Sequence, residues 1–243
     1  MIFDRIEKKS LADAVFEQLR DRIVTGEMEP GSKLPSERGL SEQLGVNRGA
    51  VREALKRLEQ ARLVSIKQGG ATRVLDFRQT AGTDLLAALL VTSDGEVNTH
   101  VARSVMEMRS ALAADIARLC ARRASDEIDE RLDEILTQME AAGSDLVRLQ
   151  QSSAQFWSTL VDGSDNLAYR LAINSLMQTY DKIKGVLLGV LADELSDLEA
   201  YRAIAGAVAE RDEEDAEFYA RNLVRMGERR ITELMDALEE ETE

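Results

Sequence analysis

Between residues 36 and 58, apolar residues recur every three to four positions, first in one short stretch and again after a turn. The stripe consists of Leu40, Leu44, Val51, Leu55 and Leu58. This spacing predicts two short helices that bury their apolar faces against each other. Gly45 is expected to end the first helix, because a residue without a Cβ readily adopts the positive φ of a helix C-terminal turn.

The second of these helices carries basic residues near its start. Asn47 is a natural N-cap, so the residues that follow it project from the N-terminus of the helix. These residues are Arg48, Gly49, Ala50 and Arg52. Arg48 and Arg52 lie four residues apart on the face away from Val51, where a guanidinium group can read guanine edges or bind phosphates. The pattern is that of a helix-turn-helix that enters the DNA major groove, with an ordinary helical hairpin as the alternative.

A β-hairpin is predicted directly after the two helices. Residues 63–66 and 72–75 have the apolar, β-branched pattern of short strands, and Gln68, Gly69 and Gly70 interrupt it. A hairpin in this place is the wing of a winged helix, and a tip with few side chains can approach the sugar-phosphate backbone closely. A hairpin with a purely structural role would have the same pattern.

Charge is distributed unevenly along the chain. The protein has 243 residues and a net charge of −14. Residues 1–78 contain 15 Lys and Arg against 12 Asp and Glu, a balance of +3, whereas the remainder has a balance of −17. Affinity for DNA must therefore come from a local basic patch at one end of the chain, and it should decrease with salt.

Helical periodicity continues almost throughout beyond residue 79. Helices are predicted near 80–91, 96–123, 126–141, 144–162, 166–190, 194–210 and 212–239. We expect a mainly α protein, with an N-terminal winged helix-turn-helix domain at 1–78 and a linker helix, or a plain linker, at 79–95. An all-α bundle of about six to seven helices should follow at 96–243.

Several classes of protein are disfavoured. The longest apolar run, 85–91, is far shorter than the ~20 residues of a membrane span, and the N-terminus lacks the apolar stretch of a signal peptide. The lone Cys120 is expected to be buried and fits a cytoplasmic location. We do not expect an enzyme, because the chain has neither a GxSxG motif nor a phosphate-binding glycine loop, and its single histidine, His100, is expected at the surface.

The N-terminal part of the chain resembles the winged-helix domain of the GntR family of bacterial transcriptional regulators. The resemblance covers about residues 8–76 and rests on the amphipathic first helix, the turn at 29–31, the LPSER stretch and the VNRGAVREAL helix. It implies DNA contacts from Arg38, Asn47, Arg48, Arg52 and the wing tip at Gln68, Gly69 and Gly70, with Gly49 among them. Relatives often carry a basic or hydroxyl residue where Gly70 stands, so the wing tip departs from the family pattern.

The C-terminal part resembles the helical ligand-sensing domain of the FadR branch of this family. The segments that carry the resemblance are EMRSALAADIARLCARRA and QFWSTLVDGSDNLAYRLAINSLMQTYDKI. Most members of the branch bind a divalent metal through an aspartate and three histidines, and the metal binds a small carboxylate effector. Where the motif places histidines, this chain has Trp157, Tyr201 and Leu223, none of which is a metal ligand of that kind. We therefore expect no metal cofactor.

Members of the branch without the metal site include a regulator of fatty-acid metabolism that binds a long-chain acyl-CoA. By that resemblance the candidate effector-binding residues are Arg109, Trp157, Tyr180, Tyr201, Leu223 and Gly227. For the aromatic residues, core packing is the alternative. For Arg109, the alternative is a salt bridge to Glu107 or to an acidic neighbour on the next helix, because a buried charge needs a partner.

These observations predict an effector-responsive transcriptional regulator that binds a palindromic DNA operator as a homodimer. A long-chain acyl-CoA is the expected effector. A small-carboxylate effector, a constitutive DNA-binding protein without an effector, and a helical partner-binding module that carries a winged helix remain the alternatives.

Overall fold

The computed structural model describes residues 10–67, 70–91 and 95–240. The chain divides into two compact units, Met1–Val97 and Asn98–Glu243. None of the helices in the described ranges combines the length and the apolar character that a membrane span requires.

The first unit begins with three helices and a small hairpin. These elements are α1 (Leu11–Val24), α2 (Glu37–Leu44), α3 (Arg48–Gln60), β1 (Val64–Ser65) and β2 (Arg73–Val74). The strands pair antiparallel, with Val64 opposite Val74. The segment before α2 adds one antiparallel β-bridge to this hairpin, in which Lys33 pairs with Arg73 of β2. The arrangement confirms the predicted winged helix-turn-helix.

Local polar groups fix the ends of these helices. The Ser10 hydroxyl accepts a hydrogen bond from the Asp13 backbone N–H, and the Asp13 carboxylate accepts one from the Ser10 N–H, which completes a capping box. Gly45 ends α2 with φ +64°. The Asn47 side chain then accepts a hydrogen bond from the Ala50 N–H at 2.9 Å. The roles predicted for Gly45 and Asn47 are therefore confirmed.

The apolar faces of the helices and the hairpin form one core. Its buried members include Val15, Leu19, Ile23, Leu34, Leu40, Val51, Leu55, Leu58, Leu63, Val64 and Val74. At the edge of this core, Arg57 on α3 pairs with Asp13 on α1 and lies 4.6 Å from the ring centroid of Phe16. Hydrogen bonds from Ser10 and Arg57 lower the pKa of Asp13 to about 2. The carboxylate is therefore ionised at neutral pH, and it links α1 to α3.

The segment after the hairpin differs from the single helix predicted at 80–91. It contains α4 (Phe77–Thr80), a 3₁₀ turn (Thr83–Leu85) and α5 (Leu86–Leu89). Gly82 is extended and interrupts the helix. The Thr80 hydroxyl donates to the Arg62 carbonyl at 2.9 Å, and Leu85 is buried in the core of the first unit. These contacts override the helical periodicity, so the segment packs as part of the first unit rather than as a separate linker helix.

The second unit is an all-α bundle, as predicted. Within the described residues it has seven helices: α6 (Thr99–Arg123), α7 (Asp126–Ala142), α8 (Leu146–Gly163), α9 (Leu167–Val190), α10 (Ala192–Ser196), α11 (Leu198–Ala209) and α12 (Glu213–Glu240). The helix predicted at 194–210 is interrupted, because Asp197 leaves the helical conformation and its side chain caps α11 at the Ala200 N–H. The predicted helix at 96–123 begins only at Thr99, after the cap Asn98.

Helix α6 contributes much of the second core, with Ile116, Ala117 and Cys120 fully buried. Cys120 packs against Gly163 at the end of α8. Burial raises the pKa of its thiol to about 12, so the group is protonated and unreactive at neutral pH. The burial predicted for Cys120 is confirmed.

The close contact between α6 and α8 predicts that an alanine in place of Gly163 destabilises the bundle. A Cβ on Gly163 would lie 2.5 Å from Cys120 Sγ and 3.0 Å from an Ile128 side-chain carbon. Gly163→Ala should therefore lower the free energy of unfolding by about 1–3 kcal/mol through overpacking. Adding Cys120→Ala should restore part of this loss. Urea unfolding followed by the fluorescence of the single tryptophan, Trp157, reports on this unit.

The matched control is Gly206→Ala in α11, where an added Cβ would meet no atom within 4 Å. This change should raise the free energy of unfolding by about 0.5–1 kcal/mol, because alanine favours helix more than glycine. Equal stabilisation by both substitutions would contradict the close contact at Gly163.

Candidate nucleic-acid interface and effector site

The first site is the surface around the N-termini of α2 and α3. Arg48 and Arg52 project from α3 into solvent, while Val51 and Leu55 on the opposite face are buried. Arg38 is exposed in the first turn of α2, where its Nε donates to Glu42 at 2.8 Å. The structure thus leaves these three arginines at the surface, as a DNA-binding interface requires.

Glu37, the first residue of α2, pairs with Arg48 and Arg52 of α3. Arg52 donates to the Glu37 carboxylate from Nε, at 3.2 and 3.3 Å, and from Nη2, at 2.9 Å. An Arg48 nitrogen lies 3.8 Å from the same carboxylate. Hydrogen bonds from Arg52 lower the pKa of Glu37, and Glu37 in turn raises the pKa of Arg52. The carboxylate is therefore charged at neutral pH and joins the two helices of the motif.

Two further predicted residues lie at this surface. Gly49 is exposed in the first turn of α3, and a Cβ there would lie 3.1 Å from the Asn47 side-chain oxygen. At the wing, the Gly70 N–H donates to the Lys67 carbonyl at 2.9 Å. Gln68 and Gly69, which were predicted at the wing tip, lie outside the described residues.

The second site is a buried ion pair in the helical bundle. Arg109 on α6 donates to the Glu194 carboxylate on α10 from both Nη1 and Nη2. Of the Glu194 side-chain surface only 2% is exposed to solvent, whereas 24% of the Arg109 side-chain surface is exposed. Burial lowers the pKa of Arg109, but attraction to Glu194 outweighs it and the pKa is raised. A salt bridge is present, as the alternative for Arg109 predicted, but its partner on α10 is neither Glu107 nor a residue of the next helix, α7.

Gly227 on α12 makes room for this pair. A Cβ on Gly227 would collide with the Glu194 carboxylate and would lie 2.6 Å from a Leu191 methyl group. A side chain at this position would require Glu194 or Leu191 to move. Leu223, one turn earlier on α12, is buried in the core at 1% exposure.

Two of the predicted aromatic residues, Tyr180 and Tyr201, lie near the ion pair. Tyr180 and Tyr201 both interact electrostatically with Arg109, and burial raises the pKa of each hydroxyl. The fully buried Tyr201 shares a hydrogen bond of 2.8 Å with Ser153. Trp157 lies beside Tyr201, and in the described part of the chain its buried indole N–H has no partner with hydrogen-bond geometry.

No group of three or more His, Cys, Asp or Glu side chains is placed to hold a metal ion among the residues that the structure describes. The resemblance places the histidines of a metal site at Trp157, Tyr201 and Leu223. The indole, phenol and alkyl groups at these positions do not supply the imidazole nitrogens of that site.

Two family models match the chain over most of its length. Residues 11–74 match the bacterial regulatory proteins of the gntR family. Residues 104–226 match the FCD domain. The chain belongs to the GntR family. It is a DNA-binding transcriptional regulator with an FCD effector-binding domain.

Among similar curated proteins, the HTH-type transcriptional regulator Mce2R of Mycobacterium tuberculosis is 37% identical over 93% of each chain. The fatty acid metabolism regulator protein of Pectobacterium carotovorum is 29% identical over 73% of this chain and 72% of its own. The solved structure of Listeria monocytogenes Lar covers 94% of this chain with a TM-score of 0.56 and 17% identity, which supports the fold alone.

Sequence reasoning on this GntR-family chain missed two glutamates, Glu37 and Glu194. Glu194 stands beside Asp193 and close to Asp197, in a stretch where a solvated acidic group is expected, so the sequence did not mark it as buried. Glu37 gave no signal either, since acidic residues are common in the first turn of a helix.

The collision at Gly227 predicts a specific loss of stability. Gly227→Ala should lower the free energy of unfolding by about 1–3 kcal/mol, because the new methyl group displaces Glu194 or Leu191. Gly189→Ala in α9 is the control, since a Cβ there meets nothing within 4 Å. Trp157 fluorescence during urea unfolding measures both. A Gly227→Ala protein as stable as the Gly189→Ala protein would contradict the close approach of α12 to α10.

Proposed function

We propose that this regulator binds a palindromic operator as a homodimer, with α3 of each protomer in the major groove of one half-site. The exposed Arg48 and Arg52 on the face of α3 opposite the buried Val51 support this mode. Two-fold symmetric dimers match two-fold symmetric operators, because each protomer then makes the same contacts. Such a regulator acts in the cytoplasm, where bacterial DNA is located, and its function requires no catalysis.

The proposed DNA contacts fall into two groups. We propose that Arg48 and Arg52 contact base edges from the N-terminal turns of α3. We assign contacts to the sugar-phosphate backbone to Arg38, to the Asn47–Gly49 corner and to Gly70 of the wing. From the sequence alone, we also propose Gln68 and Gly69 as contacts to the sugar-phosphate backbone.

We propose a long-chain acyl-CoA as the effector, with its acyl thioester beside Arg109. The observation that carries this choice is the pairing of Arg109 with Glu194. A free carboxylate would bring a second negative charge next to a buried glutamate, which is strongly unfavourable. The uncharged carbonyl of a thioester adds no charge, and it can accept a hydrogen bond from Arg109, Trp157 or a tyrosine hydroxyl.

The similarity to a fatty acid metabolism regulator protein also supports an acyl ligand. A small-carboxylate effector is less well supported, because the resemblance to the FadR branch implies a metal that binds such an effector. In the part of the chain that the structure describes, no group of three or more His, Cys, Asp or Glu side chains is placed to bind one. Coupling between effector and operator needs only about 1–3 kcal/mol to change DNA affinity some 5- to 150-fold.

A substitution in α3 tests the DNA-binding proposal. If Arg52 reads a base, Arg52→Ala should weaken operator binding about 5- to 150-fold and relax discrimination between sequences. Fluorescence anisotropy with a palindromic duplex from upstream of the gene, at fixed salt, measures this. Arg22→Ala removes the same charge from an exposed position on α1 and serves as the control.

Uniform weakening of Arg52→Ala on operator and scrambled duplexes, with a less steep salt dependence, would make Arg52 a phosphate contact instead. Equal effects of the Arg52 and Arg22 substitutions would contradict the proposed docking of α3.

A substitution in the ion pair tests the effector proposal. In the wild type, a long-chain acyl-CoA should shift operator affinity several-fold, and the matching free acid should not. Glu194→Gln removes the competing charge but keeps a hydrogen-bond acceptor, so the free acid should bind this variant about ten-fold more tightly. Glu199→Gln, an exposed carboxylate on α11, is the control. Tryptophan fluorescence measures ligand binding, and operator anisotropy measures the response.

A wild-type response to the free acid that equals the response to acyl-CoA would favour a carboxylate effector. Tight operator binding that neither ligand changes would favour a regulator without this effector.

A further inference from the structure

The contact between Glu37 and Arg52 is geometrically specific. The two residues are 15 positions apart and belong to different helices of the motif. The carboxylate meets Nε and Nη2 of Arg52, which form one edge of the planar guanidinium group. The pair is also exposed, with 57% of the Arg52 side chain and 32% of the Glu37 side chain accessible.

An exposed ion pair of this kind contributes little to the stability of the fold. Its effect on recognition is different, because a free arginine side chain must lose rotamer freedom when it binds. A carboxylate that already holds one edge of the guanidinium removes part of this cost before DNA arrives.

The edge that remains can read a guanine. Arginine carries five N–H groups in a fixed fork, and Glu37 engages those of the Nε/Nη2 edge. The adjacent edge, formed by Nη1 and the second N–H of Nη2, can donate two parallel hydrogen bonds to O6 and N7 of a guanine.

The same carboxylate carries a cost for binding to any DNA. Its pKa is lowered by Arg52, so it is negatively charged at neutral pH. It also lies 3.8 Å from Arg48 and reduces the positive potential at the surface that faces phosphates. If charge were the only contribution of Glu37, its removal would strengthen binding to all DNA sequences equally.

We propose that Glu37 is a positioning residue, which orients the outer edge of Arg52 towards a guanine and weakens binding to non-operator DNA. This inference rests on the proposed function, in which Arg52 reads a base of the operator.

The full-length chain carries the test, with anisotropy measured at one salt concentration on the upstream palindromic duplex and on a scrambled duplex of equal length. Glu37→Gln should bind the scrambled duplex a few-fold more tightly and the operator several-fold more weakly, so the ratio of the two affinities falls by about ten-fold. Glu53→Gln, an exposed carboxylate next to Arg52 on the same helix, is the matched control and should leave the ratio within about two-fold of the wild type.

A second variant separates positioning from charge. Glu37→Asp keeps the negative charge but shortens the side chain by one methylene, so the carboxylate no longer meets the Nε/Nη2 edge in the same geometry. We expect binding to the scrambled duplex close to the wild type, together with a lower operator affinity. Circular dichroism of each variant confirms that the helices are retained.

If Glu37→Gln strengthens binding to both duplexes equally, as a simple loss of negative charge would, the proposal is overturned. It is also overturned if Glu37→Asp keeps the wild-type ratio. Arg52→Ala shows whether the proposed function fails as well. If this variant keeps the wild-type ratio of operator to scrambled affinity, Arg52 does not read a base. If it lowers the ratio while the Glu37 variants do not, only the positioning role of Glu37 is overturned.

Discussion

A guanidinium group held by a glutamate from another helix is the interaction on which both units of this regulator depend. In the winged helix, Glu37 of α2 holds Arg52 of α3. In the bundle, Glu194 of α10 holds Arg109 of α6. In each case the arginine is a proposed ligand contact. The glutamate therefore sets both the orientation of the guanidinium and the net charge that a ligand meets.

Burial gives the two pairs different consequences. The Glu37–Arg52 pair is in contact with water, so its Coulomb energy is screened and its main effect is on orientation. The Glu194 carboxylate is 2% exposed, and the loss of either partner would leave an uncompensated charge inside the bundle. Gly227 allows Glu194 to take this position, because any larger residue on α12 would fill the same space. The buried pair thus joins three helices and makes the proposed effector site electrically neutral.

Much of the fold could be predicted from the sequence, because local signals and long-range packing agree there. Gly45 and Asn47 mark the turn of the helix-turn-helix, and both adopt the predicted conformations. The segment at 80–91 was predicted wrongly because Leu85 joins the core of the first unit, a tertiary contact that periodicity does not reveal. For the proposed effector site, the resemblance to the FadR branch supplied Arg109, Tyr180, Tyr201 and Gly227 as candidates. It did not supply Glu194, since the partner of a buried charge depends on which helices meet.

Because Glu194 already neutralises Arg109, we propose that the regulator recognises an uncharged acyl thioester there. The decisive measurement is a crystal structure of the full chain with a long-chain acyl-CoA. We expect both hydrogen bonds between Arg109 and Glu194 to persist, with the thioester carbonyl beside them among Trp157, Tyr180 and Tyr201. A structure in which an anionic group of the ligand lies on Arg109 and Glu194 has moved away would contradict it.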